Sequence, residues 1–207
     1  MRDQAIGGYL DMLAARVAAP GGGAVAALQC GMAAALLTMA ALFSDGPRHA
    51  GFQHVIGPIA AEADELRDIS LSLADQDASA FSEVIDARRL STSTEADRAA
   101  RSAAIAEALA GAARPPAELI SVAGRLIELA GRLLPVANRN LAGDIAASAQ
   151  CARAAAITAQ VNIELNVRGV KDEKTRAELT RAAARADQIA ERAEEITAAA
   201  RAEWPPT

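Results

Sequence analysis

Aromatic side chains are almost missing from this chain: one tryptophan, one tyrosine and three phenylalanines make up 2% of 207 residues. Hydrophobic residues still reach 52%, so any core must be filled with alanine, leucine, isoleucine and valine. No stretch alternates apolar and polar residues as a strand does, and alanine has the highest helix propensity, so the composition predicts helices. Cysteine is scarce as well. Cys30 and Cys151 stand alone, each inside an apolar helical pattern where a small hydrophobe is the usual occupant, which argues against a disulfide. There is no excess of positive charge, with 21 basic against 26 acidic residues, a net charge of -5 and a pI near 5.1. A nucleic-acid footprint needs a concentrated positive field, so no nucleic-acid partner is expected. His49 and His54, in a loop rich in breakers, lack metal-ligand spacing, and no serine has an identifiable histidine partner. Neither a metal site nor a nucleophilic triad is predicted. The opening MRDQAIGGYLDML is charged and amphipathic, unlike a signal peptide, which predicts a cytoplasmic protein.

Charge of either sign is absent between Arg16 and Asp45. Pro20, Gly21, Gly22 and Gly23 break the chain there, and Ala24 to Phe43 then reads as a helix buried all round. Its length would cross a bilayer, but alanine and glycine contribute little transfer energy and Gln29 would need a partner. The expectation is no membrane span, but the axis of a bundle whose neighbours approach closely over small side chains.

At 207 residues the chain can bury a full core as a single domain over residues 1–207. Ala5 to Val17 carries Ile6, Tyr9, Leu10, Leu13 and Val17 at helical spacing, predicting one buried face. The stretch 44–58 has the breakers of a loop, and helix resumes by Ile59. From there Ile59, Ala63, Leu66, Ser70, Leu73, Asp77, Phe81 and Val84 keep one stripe to about Ala87. Thr92 and Glu95 have the form of a capping box for a helix running to Arg114, where Pro115 and Pro116 end or kink it. Another helix reaches Leu134 before Pro135, and a long alanine-rich one spans about Leu141 to Val167. The seam Leu179, Ala182, Ala186, Ile189, Ala193, Ile196 and Ala200 suits a helix lying in one groove of the bundle, and WPPT reads as a short tail. The predicted fold class is all-α, an antiparallel helical bundle around a buried Ala/Gly-rich central helix.

Three places could carry chemistry. The glycine run precedes a helix start whose free N–H groups attract an anion, although a tight entry turn needs the same residues. In LADQDASAF, Asp75 and Asp77 point about 200° apart on a helix, so only Asp77 falls on the apolar stripe. A carboxylate there must find a partner or shift its pKa upward, and it serves as a poised acid or base, as a cap on another helix, or as a partner of an arginine such as Arg101. Third, Asp144, Ser148, Cys151, Ala155, Thr158, Asn162 and Asn166 line one side of a helix, the pattern of an inter-helix network or a ligand cavity. Asn138 and Asn140 before it have the position of caps.

PGGGAVAAL at 20–28, LADQDASAF at 73–81, AARPPAELI at 112–120, NRNLAGD at 138–144 and NIELN at 162–166 together resemble the cyclodeaminase/cyclohydrolase family. That family contains the cyclodeaminase half of formiminotransferase-cyclodeaminase and bacterial methenyltetrahydrofolate cyclohydrolases. The resemblance implies a helical homodimer acting on tetrahydrofolate one-carbon derivatives with no tightly bound cofactor. It implies hydrolysis of 5,10-methenyltetrahydrofolate to 10-formyltetrahydrofolate, the better reading for a chain carrying no formiminotransferase domain. Loss of ammonia from the 5-formimino compound is the sister reaction. Asp77 and Asp144 are then the candidate catalytic residues, and Gly21, Gly22, Gly23, Asn138, Asn140, Asn162 and Asn166 the candidate substrate-binding ones, the glycines facing a carboxylate of the folate tail. Ala24 stands where the family usually has serine, and Arg139 where it has proline. The competing class is a non-catalytic folate-binding or interaction bundle.

Overall fold

The protein is described by a computed structural model over residues 5–202, and the WPPT ending lies outside the described residues. Among the described residues there are seven α-helices and no strands: α1 (Ile6–Ala14), α2 (Gly22–Leu42), α3 (Gln53–Arg89), α4 (Glu95–Ala112), α5 (Arg114–Leu133), α6 (Ala142–Val167) and α7 (Glu173–Ala202). Short 3-10 turns over Pro47–Phe52 and Arg139–Leu141 lead into α3 and α6.

α2 packs against α3, α5 and α6, as an axis should. It runs antiparallel to α3, since Gly23 faces Asp77 and Gly31 faces Ser70. It is antiparallel to α6 too, where Gly22 lies by Asn162 while the Ser148 hydroxyl donates to the Ala33 carbonyl. The contact face of α2 is Ala26, Ala27, Cys30, Ala33, Ala34, Leu37, Ala40 and Ala41, all buried. Such small side chains let helix axes close toward the short end of the usual range of about 8–10 Å. Cys30 is part of that core, and burial pushes its thiol up to about 12, the state of a packed cysteine rather than a nucleophile. Bulk comes from the other side, where Leu119, Leu126, Leu129 and Leu133 of α5 fill the space between α2, α3 and α7. Arg125 clamps α5 to α3 with a forked pair onto Glu62, Nη2 to Oε2 at 2.8 Å and Nε to Oε1.

Several expectations are corrected. α2 is not buried all round: Met32 is 51% exposed and Phe43, just past its end, 68%, with Val25, Gln29, Leu36 and Met39 half-buried on the same side. An uncharged circumference says that a helix face avoids water, not which molecule covers it. α2 also meets the length and hydropathy of a membrane span, with half of that window buried by the fold. α1 ends at Ala14, and of its predicted buried face only Tyr9 is buried, while Ile6 is 80% exposed. The region 44–58 is less of a loop than its breakers suggest, because α3 starts at Gln53 and keeps exposed Pro58 inside it at the cost of one backbone bond. The capping box on α4 is Thr94 with Asp97, two residues beyond Thr92 and Glu95. Thr94 Oγ1 accepts from the Asp97 N–H at 3.0 Å and Asp97 Oδ2 from the Thr94 N–H at 3.1 Å, and Ser91 adds a further bond to Asp97. A run of alternating serine and threonine offers both registers, and that third donor favours the later one.

Candidate active site

α3 brings Asp77 onto the start of α2. Its carboxylate accepts a hydrogen bond from the backbone N–H of Ala24, in the first turn, where unpaired N–H groups and the helix dipole favour negative charge. Gly23 makes this approach possible: a β-carbon built there would lie under 3 Å from all three carboxyl atoms of Asp77. Gly21 has nothing within 4 Å, and Gly22 only ordinary contacts with Asn162 and Thr158. The anion at the glycine-rich helix start is thus the chain's own carboxylate, and the place expected for a carboxylate of a ligand is already taken.

Asp77 opens into a cleft of about 230 Å³. Ala18, Ala19, Gly21, Gly22 and Gly23 form one wall with no side chain beyond a methyl group; Ala78, Phe81, Ala112, Asn162, Leu165 and Asn166 complete it. Phe81, placed by its spacing on the buried stripe of α3, is instead 42% exposed at this cleft. Burial raises the Asp77 carboxyl above the usual carboxylate range, against the opposing hydrogen bond from Ala24. Asn166 donates from Nδ2 to the Ala112 carbonyl at 3.2 Å, while Asn162 Nδ2 is buried without a partner among the described residues. A buried amide donor left open is costly unless something fills it. The cleft thus brings together an amide side chain, a glycine wall and a carboxylate.

The other candidates lie elsewhere. Asp144 sits in the first turn of α6, eighteen residues before Asn162, or roughly 27 Å at the helical rise. Within one chain the two aspartates cannot serve one reacting atom. Asn138 is a cap, its Oδ1 accepting from the Asn140 N–H at 3.1 Å and its own N–H donating to Ser44 Oγ at 2.9 Å. Ser148, in the middle of the stripe, is spent on the Ala33 carbonyl. Arg101 is no partner of Asp77; its Nε donates to the Arg88 carbonyl at 3.0 Å.

A family model described as Formiminotransferase-cyclodeaminase matches residues 5–185, nearly the whole of the described structure. The chain belongs to the formiminotransferase-cyclodeaminase family. It is 30% identical over 178 residues to the formimidoyltransferase-cyclodeaminase of Gallus gallus, a match covering 84% of this chain and 32% of that protein. The chain thus spans about a third of the length of that relative. With the methenyltetrahydrofolate cyclohydrolase of Methylorubrum extorquens it shares 29% identity over 165 residues, 79% of each chain. The crystal structure of formiminotetrahydrofolate cyclodeaminase from Thermotoga maritima superposes with a TM-score of 0.84 at 26% identity, covering 96% of this chain and 98% of that one.

Tyr9, a residue that spacing alone assigned to packing, does not line the cleft but lies near enough to feel the charge of Asp77. The tyrosine side chain is 6% exposed, its hydroxyl is buried without a partner among the described residues, and burial followed by the charge of Asp77 pushes the phenol upward. The signal available was that the chain's one tyrosine lies on the helix entering the glycine run.

Proposed function

We propose that the chain is an enzyme of folate one-carbon metabolism that hydrolyses 5,10-methenyltetrahydrofolate to 10-formyltetrahydrofolate, with Asp77 as the base. The observation that carries this reading is the half-buried Asp77 carboxylate, anchored at the start of α2 and facing a cleft whose Asn162 amide is unfilled. The methenyl bridge is a cationic amidine carbon, so a carboxylate beside it both stabilises the substrate and accepts a proton. Water attacks that carbon and Asp77 takes one of its protons as the C–O bond forms. Asp77 returns this proton to N5 as the C–N5 bond breaks. The remaining hydroxyl proton leaves to solvent as the formyl carbonyl forms. A carboxyl raised by burial is a stronger base than a free one once ionised, and the Ala24 N–H keeps it oriented. The amides of Asn162 and Asn166 suit the paired donors and acceptors of a pterin edge.

Loss of ammonia from 5-formiminotetrahydrofolate is the second reading, favoured by the near end-to-end superposition on the Thermotoga protein. The same carboxylate would take the N10 proton as N10 attacks the formimino carbon and deliver it to the nitrogen that departs as ammonia.

The open face of α2 supports a homodimer. Met32 on α2 and Phe43 just past its end, Ile69 on α3, and Val161 and Leu165 on α6 are exposed apolar side chains on three adjoining helices. A second copy would cover them, as a face without charge from Arg16 to Asp45 requires.

The test is the decay of the methenyl chromophore above the buffer rate, with Asp77→Asn beside it. Asn keeps the shape and an acceptor for Ala24 but is no base, so a loss of about 100-fold or more is expected. Wild-type activity should fall as pH drops through the raised Asp77 pKa. Decay no faster than buffer, together with ammonia release from the formimino compound, would select the second reading; an Asp77→Asn variant as fast as wild type would remove Asp77 from the chemistry.

A further inference from the structure

Two side chains of the Asp77 cleft leave α3 on the same face. Phe81 follows Asp77 by about one turn, and residues four apart on a helix are neighbours, with β-carbons about 5–6 Å apart. Along this face Leu73 is buried, Asp77 half-buried and Phe81 42% exposed, so the stripe runs out of the core and into the cleft. Phe43, Phe52 and Phe81 all stand outside the core, and of the three it is Phe81 that lines the cleft. A phenyl ring left partly in water forgoes much of the free energy it would gain on burial, so a ring held at this place fits a ligand that covers it.

The cleft also has a one-sided charge. Asp77 lines it and no basic side chain does, while the wall opposite is glycine and alanine. A carboxylate beside an aromatic ring, with no arginine or lysine competing for either, is an environment that favours a cation: the carboxylate supplies the opposite charge and the ring face its negative quadrupole. The substrate proposed for this cleft carries such a charge, the delocalised amidinium of the methenyl bridge, whereas its formyl product is a neutral amide. A bridge carbon close enough to react at Asp77 stands within one helical turn of Phe81.

We propose that Phe81 discriminates by charge: its ring packs against the methenyl amidinium and makes the site hold the cationic substrate in preference to the neutral formyl product. This assignment rests on the folate reading of the cleft. A purely apolar contact would hold substrate and product alike, because both carry the same pteridine. The preference belongs to the bound substrate, since positive charge leaves the bridge as water adds, so the ring lowers KM without speeding the chemical step. It also lets the neutral product go.

The experiment compares Phe81→Leu, which keeps an apolar side chain and removes the ring, with Phe81→Tyr, which keeps the ring. In Phe81→Leu the KM for methenyltetrahydrofolate should rise about fivefold with no fall in kcat, while inhibition by the 10-formyl product weakens by less than about twofold. Phe81→Tyr should stay within about twofold of wild type on both. Equal weakening for substrate and product reduces the ring to contact area and overturns the proposal, as does an unchanged KM. Sedimentation tests whether a second copy is what covers Phe81: a dimer that dissociates in Phe81→Leu, with the ratio of substrate to product binding unchanged, also overturns it. If wild type neither consumes the methenyl compound nor releases ammonia from the formimino one, the folate reading itself fails. Benzamidinium and its neutral counterpart benzamide, titrated by NMR, then test the ring alone. Tighter binding of the cation that is lost in Phe81→Leu upholds a charge-selective ring, and equal affinities, or a preference intact in the variant, overturn it.

Discussion

Replacing Gly23 by alanine tests the geometry of the site against the fold that carries it. The new β-carbon would stand under 3 Å from Oδ1, Cγ and Oδ2 of Asp77, whereas ordinary contact needs about 3.5 Å. The carboxylate is the free end of a side chain, so it moves and the helices stay. It must withdraw by about 1 Å, and its hydrogen bond to the Ala24 N–H is stretched or lost. A misplacement of this size at a reacting group costs on the order of 100-fold in rate, or about 2.7 kcal/mol of transition-state stabilisation. Alanine meanwhile raises helix propensity by up to about 1 kcal/mol, offsetting the weakened cap, so urea unfolding should change little. Gly21→Ala meets nothing within 4 Å and Gly22→Ala only ordinary contacts, so neither displaces Asp77; a methyl on this cleft wall should raise KM, with kcat falling less than in Gly23→Ala. Chromophore decay and urea titration on the three variants decide the matter. Equal losses at all three glycines, or full activity in Gly23→Ala, would refute the placement of Asp77.

The Glu62–Arg125 fork should make stability decline on acidification. The Arg125 hydrogen bond holds the Glu62 carboxyl below its usual range, so its stabilisation is complete above the unfolded pKa and disappears as pH falls through the lowered folded value. Both side chains are about a third exposed, so Glu62→Gln should cost less than about 1 kcal/mol at neutral pH in urea titrations and nothing in strong acid; a cost that grows on acidification would contradict the assignment. Met32→Glu places a charge on the open side of α2 and should convert a dimer to monomer in sedimentation while leaving the helix content of circular dichroism unchanged. A wild type that already sediments as a monomer would remove the second copy as the cover of that face.

The all-helical class and the order of the helices were legible in the residues, because each is written in local chemistry; that the carboxylate at the glycine-rich helix start is Asp77 was not, since it depends on how α3 crosses α2. Alanine content sets propensity, steps of three and four set a face, and proline and glycine punctuate. Local signals failed where two solutions were equally local, as in the Thr92 and Thr94 registers of the α4 cap. Spacing placed Asp77 on an inward stripe correctly, yet it also placed Phe81 there, since a stripe says nothing about where the neighbouring helix ends.

By itself, then, the sequence determined which faces avoid water and which residues carry the family motifs. Tertiary structure alone decided what those faces meet. Asp144 and Asn162 share a helical stripe, but α2 starts only at the Asn162 end, so only that end lines the cleft with Asp77. Gly21, Gly22 and Gly23 look alike in sequence, and the crossing of α3 over α2 makes only the third intolerant of a side chain. Arg101 and Lys171, seventy residues apart, join one recess because Gly169 lets the α6–α7 turn settle on α4. Periodicity is a property of one helix; a site is made by the distances between several, and these follow from packing.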